Sequence, residues 1–183
     1  MRDSRQEILH FWFTETQPAQ WFQKNPEFDA IVRDRFGSIV AMARDGLCDG
    51  WMDDALGALA LCLVLDQFPR NIYRDSAESF TSDEKALHMA VQAVAKGYDQ
   101  VLPVMKRRFL YMPFEHSEHM GDQERAVALF AAIRDEDPTG YEYALRHRDV
   151  IQRFGRFPHR NAILGRRNTP EEEVYLVQPG AGF

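Results

Sequence analysis

The sequence predicts an all-α protein, and three observations support this fold class. Apolar residues recur at three- and four-residue spacing, capping residues and prolines precede several of these segments, and no segment alternates apolar and polar residues between hairpin turns. We predict about seven to nine helices, stacked as antiparallel pairs. The 183 residues are expected to form a single domain, residues 1–183, because connections are short and no Pro- or Ser-rich linker interrupts them.

The N-terminal half contains three predicted helices. A short amphipathic helix is predicted around residues 8–13, where apolar and aromatic side chains cluster. Asn25 and Pro26 then form an N-cap and a first-turn proline, which open a helix that runs to about Arg44. An uninterrupted apolar run predicts a central helix over residues 54–68, covered on all sides, and Pro69 should end it or kink it sharply.

The C-terminal half continues the helical pattern. Thr81 and Glu84 stand three residues apart, as in a capping box, and predict a helix that ends at Gly97. Further helices are predicted over residues 103–113, 122–135 and 140–154, and a short last helix is predicted behind a second capping-box pattern at residues 169–172.

Composition excludes several classes of protein. A net charge of −6 and an isoelectric point near 5.5 argue against binding to nucleic acid or to an anionic membrane. The longest apolar run, residues 55–65, is too short to cross a bilayer, and the polar N-terminus does not resemble a signal peptide. Two cysteines, Cys48 and Cys62, predict neither a disulfide framework nor a zinc site. We therefore expect a cytoplasmic protein without a metal or other cofactor.

The charge is unevenly distributed along the chain. Residues 146–167 contain seven arginines and one acid, which gives this segment a charge of +6 and leaves −12 for the remainder. The simplest interpretation is that these arginines pair internally with acidic helices. An alternative is that paired arginines hold a small anion such as a phosphate or a carboxylate.

One short motif occurs twice. Phe-Pro-Arg-Asn at residues 68–71 follows one predicted helix, and Phe-Pro-His-Arg-Asn at residues 157–161 follows another. Arginine and asparagine after a forced turn supply many hydrogen-bond donors. The repetition is consistent with two similarly built helix exits, and also with two arms of one polar pocket.

Asp66 is the most informative single residue. It follows the apolar run and lies in the predicted last turn of a buried helix, where the helix dipole disfavours a negative charge. A carboxylate at such a position needs a cation, and Arg70 or an arginine from residues 146–167 is the expected partner. The pair either locks the helix exit or lines a cleft.

A second polar cluster follows Pro113. Two histidines, His116 and His119, stand three residues apart beside Glu115 and Glu118, a spacing that matches neither helical zinc proteases nor di-iron carboxylate proteins. We expect His116 to hydrogen-bond within a polar network and His119 to be exposed. Near the N-terminus, the aromatic residues at 11–13 and 21–22 are expected to pack in the core rather than to surround a ligand.

Several of these segments together resemble a known family. The residues are Leu-Asp-Gln-Phe-Pro-Arg-Asn at 65–71, His-Ser-Glu at 116–118 with Asp-Gln-Glu-Arg at 122–125, Arg-His-Arg-Asp at 146–149, Arg-Phe-Gly-Arg-Phe-Pro-His-Arg-Asn at 153–161 and Thr-Pro-Glu-Glu at 169–172. With the N-terminal aromatic residues they resemble the bacterial family called domain of unknown function 924. The resemblance covers nearly the whole chain. It implies stacked helices similar to tetratricopeptide repeats and implies no established activity.

Three functions remain open at this stage. The first is the binding of a small anionic ligand or a short peptide in a polar cleft, the second is an enzyme that uses His116, His147 or His159 as a general base oriented by Asp66 or Glu118, and the third is a scaffold for other proteins. The candidate ligand-binding residues are Asp66, Gln67, Arg70, Asn71, His116, Glu118, Gln123, His147, Arg156, His159, Arg160 and Asn161.

Overall fold

The computed structural model describes residues 4–182, and over these residues the all-α prediction is confirmed. The α-helices are α1 (Ser4–His10), α2 (Pro18–Phe22), α3 (Pro26–Arg44), α4 (Ala55–Cys62), α5 (Phe68–Ile72), α6 (Asp83–Ala95), α7 (Val104–Glu115), α8 (Met120–Ala131), α9 (Pro138–Phe154) and α10 (Pro170–Leu176). Two π-helical turns, at Phe11–Glu15 and Leu63–Gln67, and short 3-10 turns complete the helical structure.

The apolar run forms the centre of the molecule, as predicted. Side chains from Ala58 to Leu65 have no exposed surface, and α1, α6 and α7 pack around α4. The π-helical turn that follows α4 contacts α3, α6 and α7. Helices α6 to α9 pack in chain order, each against the next. The comparison with tetratricopeptide repeats stays a prediction.

Pro69 does not end the central helix, which corrects the sequence prediction. The chain passes from α4 through the π-helical turn Leu63–Gln67 into α5, and Pro69 lies in the first turn of α5. The Phe68 amide donates to the Leu63 carbonyl, a wider spacing than in an α-helix. Because a first-turn proline lacks only an N–H that an α-helix start leaves unpaired, the helix continues. This geometry leaves Asp66 and Gln67 on a widened turn, not at a helix exit.

Other boundaries differ by a few residues for local reasons. Pro113 lies inside α7, which ends at Glu115 instead of at the proline. The predicted capping box at Thr81 is wrong, because Ser82 occupies the N-cap position of α6. The Ser82 hydroxyl makes no capping hydrogen bond and instead donates to the Leu65 carbonyl at 2.7 Å. The capping box at Thr169 is confirmed. Helix α2 was not predicted.

Two further features of the structure concern the cysteines and the lengths of the helices. Cys48 and Cys62 are buried as free thiols. Within residues 4–182, no helix is both long enough and apolar enough to cross a bilayer.

Candidate functional site

Two adjoining cavities open beside the central helix. The larger has a volume of about 410 Å³ and the smaller about 320 Å³. Both are lined by Arg70, Arg74, His116 and His147, which therefore form the boundary between them. Three of these four were among the predicted site residues, and they come from helices far apart in the sequence.

Asp66 lies behind this boundary as a buried anion. Its Oδ1 is 2.7 Å from Nδ1 of His116 and 3.2 Å from Nη1 of Arg70, and the Gln67 amide donates to Oδ2 at 2.6 Å. Burial alone would raise the pKa of Asp66, but Arg70 and His116 outweigh it and hold the pKa below its ordinary value. The predicted pairing of Asp66 with Arg70 is therefore present.

The ionised carboxylate fixes the proton on His116. A carboxylate only accepts hydrogen bonds, so Nδ1 of His116 must be the donor to Asp66. Burial and the charge of Arg70 lower the pKa of His116, which leaves the ring neutral at pH 7. Its Nε2 is then an acceptor on a ring that lines both cavities.

The arginines of the two repeated motifs meet on one carboxylate. Arg70 contacts Asp83 through both terminal nitrogens at 3.0 Å, and Nη1 of Arg160 lies 3.3 Å from Oδ2 of the same residue. Arg160 also donates to the His116 carbonyl at 3.0 Å. Burial, with the nearby charge of Arg70, lowers the pKa of Arg160 to about 10. The arginines of the two motifs thus meet at Asp83, and both line the smaller cavity.

The asparagines of the same motifs have separate roles. Asn71 donates to Asp29 at 2.9 Å, and Arg74 binds both oxygens of that carboxylate at 2.6 and 2.8 Å. Asn161 instead donates to Asn168 at 2.9 Å and to Glu172 at 3.3 Å, away from the cavities.

Besides Asp66, the structure places four predicted site residues outside the cavity walls, in contacts that hold loops. Glu118 receives both terminal nitrogens of Arg166 at 2.7 and 2.9 Å, as well as the Phe157 amide. Gln123 donates to carbonyl groups at the end of α7. Arg156 pairs with Glu172, the acid that also contacts Asn161. For these arginines the simpler interpretation, internal pairing with acids, describes the geometry.

Two further predicted site residues, His147 and His159, line the cavities as neutral rings. Nδ1 of His147 lies 2.8 Å from the Tyr143 carbonyl, and burial lowers the pKa of His147 to about 3. Burial and the charge of Arg160 lower the pKa of His159 to about 4. His159 lines the smaller cavity only.

Glu115 contributes a buried carboxyl group to the larger cavity. Its side chain is buried, and Oε1 has no hydrogen-bond partner in the described part of the chain. Burial raises the pKa of Glu115 well above its ordinary value, against the influence of Arg108. Burial therefore favours the protonated, neutral form of this carboxyl.

Several cavity residues could not be identified from the sequence. Trp21 and Phe22 line the larger cavity together with Arg108 and Tyr143. Trp21 packs in the core, as expected, and is 6% exposed, whereas Phe22 is 55% exposed and lies outside the core. Arg74 carried a usable signal, because it follows Arg70 by four residues in the same segment. Within residues 4–182, no cluster of three or more histidine, cysteine or acidic side chains has a geometry that would hold a metal ion.

Comparisons with known proteins identify relatives of this chain. Residues 8–180 match the family described as bacterial protein of unknown function, DUF924. A solved structure of a protein of unknown function from Agrobacterium tumefaciens is similar, with a TM-score of 0.91 and 40% sequence identity over 95% of this chain and 97% of that chain. No curated protein matches. The chain belongs to the bacterial family called domain of unknown function 924.

Proposed function

We propose that the protein binds a small organic anion at the boundary between the two cavities. The observation that carries this proposal is the placement of the acids relative to the arginines. Arg70 and Arg74 line both cavities, whereas Asp29, Asp66 and Asp83, which neutralise them, are not among the lining residues. The two arginines therefore border open space, whereas the acids that pair with them do not.

The acids that do line the cavities do not compete for this position. Among residues 4–182 they are Glu115, whose burial favours the protonated form, and Asp75, an exposed side chain whose carboxylate lies 2.6 Å from Nζ of Lys24. Nη1 of Arg74 and Nε of Arg70 have no hydrogen-bond partner in that same part of the chain. A carboxylate or phosphate can accept hydrogen bonds from both arginines.

The size of the site favours a small molecule over a peptide. Cavities of about 410 and 320 Å³ are within the range usual for small-molecule sites, roughly 300–1,000 Å³. We therefore retain the small anion from the two ligand classes that the sequence left open. The scaffold hypothesis stays a prediction.

The test is a calorimetric titration with inorganic phosphate and with acetate at low ionic strength. We expect Arg74→Lys to weaken binding about tenfold, because lysine keeps the charge but loses the planar fork. Arg35→Lys is the matched control, since Arg35 also pairs with carboxylates, Glu7 and Glu15, but does not line either cavity. Equal affinities for the two variants, or no binding of either anion, would contradict the proposal.

A second candidate function is general-base catalysis at the same site. It rests on the 2.7 Å contact between Asp66 and Nδ1 of His116, which leaves Nε2 as the acceptor on a ring that lines both cavities. Hydrolysis of p-nitrophenyl acetate is a suitable probe. We expect its rate above background to be lost in His116→Gln and reduced in Asp66→Asn, whereas His88→Gln, on the exposed side of α6, should retain it. Equal rates in all four proteins would exclude this role for His116.

A further inference from the structure

We infer that the ligand joins an anionic group to an aromatic body, as in an aryl carboxylate or an aryl phosphate. This inference rests on the proposed anion site and specifies what else binds there. The argument comes from the walls of the larger cavity, which combine arginines with aromatic side chains.

The larger cavity is too large for a simple inorganic anion. Its volume of about 410 Å³ is more than ten times the roughly 30 Å³ that a water molecule occupies in the liquid. An acetate or phosphate ion held by Arg70 and Arg74 would leave most of this space unfilled. An organic body attached to the anion would fill it.

Four of the residues that line this cavity are aromatic or apolar. Trp21, Phe22, Met112 and Tyr143 all line it. Trp21 is held rigidly, because its Nε1 donates to the Thr16 hydroxyl at 2.7 Å and its ring meets that of Phe109 edge-on at 5.1 Å. A rigid ring of this kind is suited to packing against another flat ring.

Phe22 and Tyr143 leave apolar surface exposed at the same cavity. Phe22 is 55% exposed and Tyr143 is 37% exposed. The ring of Phe22 stands at 87° to that of Trp21, with centroids 6.2 Å apart, so the two rings form a corner. An aromatic ligand seated there would cover surface that is otherwise in water.

Arginines line the same cavity and can hold the anionic group. Arg70 and Arg74 line it, and so does Arg108, whose Nε lies 3.5 Å from the Asp137 carboxylate and whose guanidinium carbon lies 5.5 Å from the centre of the Phe22 ring. The His116 ring and the buried Glu115 carboxyl line it as well. A cavity that combines guanidinium groups with aromatic rings suits a ligand that carries both an anion and a ring.

The experiment compares matched pairs of anions on the intact protein. Calorimetric titrations would use acetate against phenylacetate, and inorganic phosphate against phenyl phosphate. We expect the aromatic member of each pair to bind about tenfold more tightly or better, because it buries a ring. The two pairs separate a preference for carboxylate from one for phosphate.

A variant assigns this gain to the aromatic corner. Phe22→Ala should abolish the difference within each pair and leave the affinity for inorganic phosphate unchanged, whereas Leu47→Ala, which removes another exposed apolar side chain, should not alter either. If the wild-type protein binds both members of each pair equally, the inference is overturned and the anion site stands. If no anion binds, both are overturned.

Discussion

Asp66 and His116 are separated by 50 residues in the sequence, yet Oδ1 of one lies 2.7 Å from Nδ1 of the other. The contact joins the π-helical turn before α5 to the C-terminal end of α7. Both side chains are buried, so the hydrogen bond and the neighbouring Arg70 must offset the cost of removing a carboxylate from water.

The first prediction concerns this buried charge. Asp66→Asn should lower the free energy of unfolding by roughly 2–4 kcal/mol, because Arg70 would lose one of its two carboxylate partners inside the protein. Urea unfolding followed by circular dichroism measures the change. Asp135→Asn is the control, since the Asp135 side chain is 96% exposed. An unchanged midpoint for Asp66→Asn would rule out this stabilising role.

The second prediction concerns Arg160. Arg160→Ala should abolish binding of inorganic phosphate, but its burial and its contacts with Asp83 and the His116 carbonyl indicate that stability will fall as well. The loss of binding and the loss of stability must therefore be separated. Binding should be measured well below the melting temperature of the variant. The control is Arg153→Ala, which removes an exposed ion pair with Glu171 and should bind phosphate as the wild type does. Retained phosphate affinity in Arg160→Ala would show that Arg160 is not part of the site.

The sequence predicted the fold better than the site, for physical reasons. Periodicity and capping residues act locally, so α3 and α9 could be located from nearby residues alone. Arg70 and Arg160 of the repeated motifs line one cavity, but the asparagines of the motifs diverge to partners, Asp29 and Glu172, that only tertiary packing supplies. Local patterns likewise do not show that Phe22 lies beside a cavity.

Acid should destabilise the protein through its buried histidines. The pKa of His147 is lowered from 6.5 to about 3 by burial, with contributions from His116, Arg160 and His159. The unfolded chain therefore binds more protons in this interval, and the free energy of unfolding falls as pH decreases from 6.5 towards 3.

A variant measures the share of His147 in this acid sensitivity. His147→Gln should make the fall shallower by up to about 1.4 kcal/mol per pH unit. Urea midpoints at several pH values would measure it, and His10→Gln, at a half-exposed ring, should keep the wild-type slope. Identical slopes for wild type and His147→Gln would contradict the assignment.

Two glycines in helices should respond oppositely to alanine. A Cβ at Gly57 would lie 2.1 Å from the Trp51 carbonyl oxygen, which is backbone and cannot move aside, so Gly57→Ala should be strongly destabilising. A Cβ at Gly37 meets nothing within 4 Å, so Gly37→Ala should stabilise α3 by about 0.5–1 kcal/mol. Thermal unfolding of both variants measures the difference, and a stable Gly57→Ala protein would show that the turn at Trp51 can shift.

Glu115 should give a pH dependence opposite to that of His147. Because burial raises its pKa, the folded protein keeps this proton above pH 4.5, where the unfolded chain releases it. The stability that Glu115 contributes is therefore present below its unfolded pKa and is lost as pH rises through its folded pKa. Glutamine is neutral at every pH, so the stability of Glu115→Gln relative to wild type should increase with pH over this interval, by up to about 1.4 kcal/mol per unit. Urea midpoints between pH 5 and pH 8 measure the trend, and a constant difference would mean that Glu115 is ionised in the folded protein.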